Sequence, residues 1–442
     1  MLFNSYEFIF LFFPIALAMF CLTNGDKYKK ITLISLAFYS YWNPYYTILL
    51  IASISFNYIA SKLISNKLSL AISIAINILV IGYYKYFNFI IDNMNVILSS
   101  NLNNESIILP LAISFFTFQQ IAYLVDNYKE KLSYGFWEYS AFVCFFPQLI
   151  AGPIVHHNQL LPQLEKSMVK IDNFCEGLFL FSVGLFKKVV IADTFGSYVN
   201  DGFDNYSNLT FIESWTTSLS YTLQLYFDFS GYCDMAMGLA LVFGVRLPLN
   251  FNSPYKSRNI QEFWRRWHIT LGAFLRDYIY IPLGGNRKSN IIISLNLIIT
   301  FLIGGIWHGA GWTFALWGLI HGVALVNHRL WKVFNIRIPK LASILITFLF
   351  VNASWVIFRS ENMDMAISIL TKMISINDYK NTDADSTLIL LILFGLLSVF
   401  FIRNPHEKPF KATYITLVSS IFFFVSSVIL FTKDSAFLYF NF

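Results

Sequence analysis

Long stretches almost free of charge recur along this chain, at residues 6–22, 68–84, 341–358, 387–402 and 412–432. Each is close to the roughly 20 residues a helix needs to cross the hydrocarbon layer of a bilayer. Short polar connections separate them. Basic connections fall at 24–30, 61–67, 126–136, 246–290, 329–340 and 403–411, whereas 93–107 and 359–385 are poorer in Lys and Arg or richer in acid. Because Lys and Arg favour cytoplasmic loops, this alternation predicts a chain threading back and forth through a membrane.

Two regions depart from this simple alternation. Residues 31–60 read as two short spans broken at Trp42-Asn43-Pro44. Between 137 and 245 lie four apolar stretches, about 137–152, 174–192, 210–229 and 230–245, interrupted by Pro147, Gly152-Pro153 and Gly231. Irregular backbone at membrane depth is tolerated only where protein buries it or water adjoins it, so re-entrant segments compete with full crossings here. The expectation is an all-α polytopic membrane protein with 11 to 13 membrane segments, forming one domain over 1–442. The first run is read as an uncleaved span with its N-terminus outside. Glu7 is the only charge before Asp26, so a basic leader is missing, and Lys27, Lys29 and Lys30 follow the run.

Composition agrees. Hydrophobic residues make up 56% and charged residues 13%, with 47 Phe and 25 Tyr. A soluble domain carries about 25% charged residues. The net charge of +6 is explained by basic loops meeting anionic lipid rather than nucleic acid. Cys21, Cys144, Cys175 and Cys233 are scattered without paired spacing, which points to neither a disulfide framework nor a metal site.

The basic stretch 246–290 is the first candidate for chemistry. It holds Arg246, Lys256, Arg258, Arg265, Arg266, Arg276, Arg287 and Lys288 against only Glu262 and Asp277. A helix is predicted after Asn259, an N-cap, with Glu262 three residues on. Ile260, Phe263, Trp264, Trp267, Leu271, Phe274 and Leu275 then form one apolar stripe, with His268 at its margin and Arg265 and Arg266 pointing away. Such a helix could lie in the interface with its arginines on lipid phosphates. Alternatively its basic groups receive a polyanionic donor, since guanidinium engages phosphate oxygens in pairs.

The second candidate is Gly304-Gly305-Ile306-Trp307-His308-Gly309-Ala310-Gly311-Trp312, at the end of the apolar run 291–303. Its glycines break the helix and let other groups approach the backbone. His308 stands in that break, and an ionisable group within a membrane is a functional candidate by default. Imidazole titrates near neutrality and can take a proton from an attacking hydroxyl. His321 lines the same cavity or serves packing. His328, His406, His156 and His157 are expected to be solvated, and Asp228 and Asp234 either cap helix ends or orient a histidine.

At these residues the chain resembles the membrane-bound O-acyltransferase family, and within it the bacterial alginate and peptidoglycan O-acetyltransferase membrane subunits. The resemblance runs in order through Phe146-Pro147-Gln148-Leu149-Ile150-Ala151-Gly152-Pro153-Ile154, Phe227-Asp228-Phe229-Ser230-Gly231-Tyr232 and Leu249-Asn250-Phe251-Asn252-Ser253-Pro254-Tyr255. It continues with Glu262-Phe263-Trp264-Arg265-Arg266-Trp267-His268, Arg276-Asp277, Pro282-Leu283-Gly284-Gly285-Asn286-Arg287, Trp307-His308-Gly309 and His321-Gly322, about residues 110–325 in all.

The resemblance implies helices ringed around a central funnel, with His308 and His268 as the catalytic histidines. His321, Asp228, Trp307 and Trp267 would line or support the tunnel, and Arg265, Arg266, Arg276 and Arg287 would bind the donor. It also implies acetyl-CoA as donor substrate, no bound cofactor, and an extracytoplasmic SGNH-type acetyltransferase partner. The final acceptor would be a polysaccharide or peptidoglycan, and the location the bacterial cytoplasmic (inner) membrane. The rival reading is a transporter or flippase with a midplane site at the broken helices.

Overall fold

A computed structural model of the chain describes residues 1–22, 24–375, 385–431 and 437–438. The part of the predicted connection 359–385 at 376–384 and the last residue of the run 412–432 lie outside these. Among the described residues the chain is helical throughout, with no strand. Five helices are long and apolar enough to cross a membrane, Pro44–Leu63, Lys67–Leu98, Asn290–His308, Lys340–Arg359 and Ser386–Glu407, and Glu7–Leu22 and Tyr414–Ile429 are shorter apolar helices. The all-α polytopic expectation holds.

In chain order, a π-turn Glu7–Phe12 leads into α1 (Phe13–Leu22), followed by α2 (Lys27–Ser40) and α3 (Pro44–Leu63). The predicted break at Trp42-Asn43-Pro44 separates the last two. Asn43 accepts from the Tyr45 N–H and Pro44 occupies the first turn, where its missing donor costs nothing. Helix α4 (Lys67–Ile81) passes through a π-turn at Gly82–Tyr86 into α5 (Phe87–Leu98), and α6 (Ile113–Glu130) returns.

The middle departs from the pattern. The stretch 137–152 folds as two short helices, α7 (Phe136–Cys144) and α8 (Phe146–Leu149), and is buried from Tyr139 onward, while Trp137 at its start is exposed. That matches the re-entrant alternative. After α9 (His157–Glu165), α10 (Ile171–Phe186) runs through a π-turn at Lys187–Ala192 into α11 (Asp193–Asp204). The stretches 210–229 and 230–245 are one 32-residue helix, α12 (Phe211–Val242). Gly231 therefore does not interrupt, because one glycine costs a helix only about 1 kcal/mol and packing on every side recovers it.

The basic stretch forms α13 (Ile260–Trp264) and α14 (Ile269–Leu275), with a π-turn at Arg276–Tyr280. Then come α15 (Asn290–His308), α16 (Trp312–Trp331), α17 (Lys340–Arg359), α18 (Met363–Lys372), α19 (Ser386–Phe401) and α20 (Tyr414–Ile429).

The chain forms two compact units interleaved in sequence, 1–185 with 232–248 and 410–441, and 186–231 with 249–409. In the first, Asn57 and Asn77 exchange amide hydrogen bonds of 3.0 and 2.7 Å, tying α3 to α4 where lipid offers no hydrophobic drive. An apolar chamber of about 970 Å³ lies in this unit, walled by Phe8, Phe13, Leu178, Phe181, Leu417 and Phe424 among others. None of the candidate site residues lines it.

In the second unit α15 and α16 form a tight hairpin. Any Cβ on Gly305 would strike the Phe314 carbonyl, one on Gly318 the Phe301 carbonyl, and one on Gly322 the Ile298 backbone. The expectation that glycines let groups approach this backbone is met. Asn352 of α17 accepts from Ser218 and donates to Thr222, both at 2.8 Å, joining α17 to α12.

Candidate functional site

His308 is the last residue of α15. Gly309 follows in extended conformation (φ −162°), and α16 begins at Trp312. The missing side chain of Gly309 is filled by the Phe314 ring, so the helix end is closed by packing. The His308 imidazole is 3% exposed. Its walls are aromatic, with Trp307 at 4.9 Å, Trp317 at 5.3 Å and 89°, and Phe358 at 5.3 Å and 77° between ring centroids. The ring faces protein rather than lipid. The indole N–H of Trp317, fully buried, meets no acceptor among the described residues.

His268 stands next to this cage, its ring 6.5 Å from that of His308 and 6.4 Å from that of Trp307. The predicted single helix from Ile260 to Leu275 is corrected here. Asn259 does cap the start, accepting from the Glu262 N–H, but α13 ends at Trp264. His268 itself adopts the left-handed region (φ +45°), and α14 starts after it. Such a conformation costs a non-glycine residue about 1–3 kcal/mol and persists only where surroundings over-determine it. The turn throws His268 from the margin of the stripe into full burial.

Asn250 supplies the determination. Its Oδ1 accepts from the Thr270 N–H at 3.2 Å and the Thr270 hydroxyl at 3.0 Å, and lies 3.2 Å from His268 Nδ1. A backbone N–H can only donate, so the facing atom is the amide oxygen, and Nδ1 must carry the proton. The lone pair of His268 then sits on Nε2. Burial pushes this imidazole down to about 3, so it is neutral at physiological pH. Phe229 of α12 closes one side edge-on, 4.8 Å between centroids.

His321 is built differently. The Trp264 indole donates to its Nδ1 at 3.2 Å, so Nε2 bears the proton and donates to Ser354 Oγ at 3.0 Å. Ser354 passes its own hydrogen to the Val351 carbonyl at 2.7 Å. With both nitrogens engaged, His321 braces α13, α16 and α17 and stands 4.8 Å from Trp317. Trp267 is core, stacked on Phe263 and packed on Trp355.

Asp228 lies within α12 and caps nothing. It pairs at 2.8 Å with the buried Lys188, which also reaches Asp193 at 2.6 Å. Asp234 is likewise interior to α12.

The arginines divide. Arg266 is bound by Glu262 at 2.9 Å and the Asn252 carbonyl at 3.1 Å, and Arg276 chelates its neighbour Asp277. Arg265 and Arg287 are exposed with no ion pair among the described residues. His157, expected to be solvated, is buried 3.6 Å from Asp126 between Tyr123 and Tyr134.

Sequence reading singled out His308, His268, His321 and Asp228, but missed Asn250, Thr270, Trp317, Phe358, Ser354 and Lys188. Asn250 sits in the quoted motif, yet nothing in its spacing tells that its amide meets a histidine 18 residues on.

The description of the membrane-bound O-acyltransferase family matches residues 129–358. Among relatives, a peptidoglycan O-acetyltransferase of Helicobacter pylori is 42% identical, the alignment covering 100% of this chain and 98% of that protein. A probable alginate O-acetylase of Azotobacter vinelandii is 38% identical over 92% of this chain and 86% of its own length. More distantly, a teichoic acid D-alanyltransferase of Bacillus subtilis is 27% identical over 57% of this chain and 69% of its own. With both cage histidines inside the matched stretch and relatives aligned along almost its full length, this chain belongs to the membrane-bound O-acyltransferase family.

Proposed function

We propose that this acyltransferase moves an acetyl group from cytoplasmic acetyl-CoA to an extracytoplasmic hydroxyl acceptor across the bacterial cytoplasmic (inner) membrane. An SGNH-type partner completes O-acetylation of a cell-wall or secreted polysaccharide. The observation that carries this reading is the paired imidazoles, His308 in its aromatic cage and His268 with its proton held on Nδ1 by Asn250. His308 takes the proton of the acceptor hydroxyl. The oxygen attacks the thioester carbonyl, and the tetrahedral oxyanion collapses, expelling coenzyme A thiolate, which the imidazolium reprotonates. His268 supports this as a neutral, oriented neighbour. The Trp317 N–H is a donor within the same cage, suited to the oxyanion. Exposed Arg265 and Arg287 suit the donor's phosphates. The names of the relatives support acetyl as the group and a polymer as its destination.

The test is His308→Ala in membranes supplied with labelled acetyl-CoA and acceptor, with free thiol and transferred label both followed. At least a hundredfold loss of both is expected, in line with the roughly 10²–10⁴-fold that general-base removal costs. Transfer at the wild-type rate would refute the role.

A further inference from the structure

We infer that the first unit carries a binding pocket for a neutral saccharide, formed where the connection after α5 folds back against the ends of α3 and α4. Helices α3 and α4 meet the basic connection of Lys62 and Lys67 at one end, where Lys62 donates to the Tyr134 carbonyl at 2.9 Å. Tyr83 lies 16 residues beyond Lys67, about 24 Å along a helix, and so near the far edge of the hydrocarbon layer. By the preference of Lys and Arg for the cytoplasm, that end faces outward.

At this end three side chains of α5 form one face, Asn88, Asp92 and Asn95, at helical spacing. They clamp the following connection. Asn88 donates to the Glu105 carbonyl at 2.8 Å and accepts its N–H at 3.0 Å, Asp92 accepts from Asn104 at 2.8 Å, and Asn95 holds Leu102 on both sides. The clamp delivers Glu105 to Tyr83, whose hydroxyl donates to Oε2 at 3.1 Å. Tyr46 is pinned by donating to the Ile108 carbonyl at 2.8 Å.

Between these pinned rings opens a pocket of about 550 Å³, walled by Tyr46, Tyr83, Tyr84, Glu105 and residues 106–108. The size is within the roughly 300–1,000 Å³ typical of small-molecule sites.

Tyrosines at a membrane edge ordinarily form a belt whose polar tips rest among headgroups. Tyr46 and Tyr83 differ, because their hydroxyls are tied to the folded-back connection, and their rings with that of Tyr84 wall a concavity. Tyr46 and Tyr84 meet edge to face at 6.1 Å, and Trp42 stacks behind Tyr46 at 5.4 Å and 24°. Aromatic faces suit the C–H faces of a sugar ring, while a carboxylate and three phenols suit its hydroxyls. The carboxylate also selects. Lys85, in the same π-turn, turns to Ser114 at 3.4 Å and is not among the pocket walls. With an acid and no base lining it, the pocket favours uncharged sugars and rejects polyuronates.

This rests on the outward orientation of that end and not on the acyl-transfer chemistry, which is read separately from thiol release.

The experiment uses full-length protein in lipid nanodiscs, titrated by calorimetry with an N-acetylglucosamine oligosaccharide and with an oligouronate of equal length. The neutral oligomer should bind at least tenfold more tightly than the uronate. Tyr84→Ala should weaken it at least tenfold, and Ser106→Trp, which fills the pocket from an exposed position, should abolish it. Glu105→Gln should narrow the preference over uronate at least fivefold. No binding by the wild type, equal binding of both sugars, or unchanged affinity in folded Ser106→Trp protein overturns the proposal. Thiol release with a small hydroxyl acceptor would stand in each case.

Discussion

Replacing Asn250 with alanine tests the central geometric claim, that one amide oxygen both sustains the left-handed turn at His268 and fixes its tautomer. Three donors converge on that oxygen, from Thr270 N, Thr270 Oγ1 and His268 Nδ1, and all three residues are buried. The hydroxyl can rotate toward another acceptor, but the backbone N–H and the imidazole cannot leave. Each stranded buried donor costs about 1–3 kcal/mol, so Asn250→Ala should destabilise by about 2–5 kcal/mol. Thr270→Val removes only the mobile hydroxyl and should cost about 1 kcal/mol or less. Because the two residues share one acceptor, their double variant should depart from additivity by about 0.5–3 kcal/mol. Denaturant unfolding in detergent, followed by tryptophan fluorescence, supplies these numbers. Activity gives an independent reading. Without the acceptor, the Nε2 lone pair is no longer enforced, and the maximal rate of thiol release should fall at least tenfold while the Michaelis constant for acetyl-CoA stays within twofold. An Asn250→Ala protein of wild-type stability and rate would show that neither the turn at His268 nor its tautomer depends on this amide.

Other consequences follow from the same geometry. Lys188→Met removes the 2.8 Å ion pair of the buried Asp228 and should cost about 3–5 kcal/mol in unfolding, most of it recovered in Lys188→Met/Asp228→Asn. The imidazole of His268, held near 3 when folded against an ordinary 6.5, binds fewer protons folded than unfolded between those values. Its contribution to stability is therefore complete above pH 6.5 and declines as pH falls, at up to about 1.4 kcal/mol per pH unit. Unfolding titrations should show a flatter acid limb in His268→Gln, and identical limbs would refute this. Arg265→Gln and Arg287→Gln, removing exposed cations, should each raise the Michaelis constant for acetyl-CoA about tenfold, as loss of a charge-assisted bond implies. Their turnover should stay within twofold, and a turnover defect instead would place those side chains elsewhere.

Much of this protein is legible along the chain. Charge-free runs of membrane length and alternating basic connections are one-dimensional signals, because the bilayer imposes its thickness on every crossing helix alike. The break at Trp42-Asn43-Pro44, the Asn259 cap and the helix end at His308 are equally local, set by a proline, an asparagine and a glycine acting on adjacent backbone. Beyond that reach the sequence falls silent. The apolar stripe from Ile260 to Leu275 follows helical spacing throughout, yet a hydrogen-bonded asparagine from outside the stripe bends it at His268 and buries the imidazole. Gly231 looked like a stop and is not, since packing on all sides outweighs its small intrinsic cost. Asp228 offered two roles and took a third, because its partner Lys188 lies 40 residues earlier. Residue type announces that a histidine has chemistry to offer. Which nitrogen offers it depends on the atoms packed against the ring, and only the tertiary structure decides those.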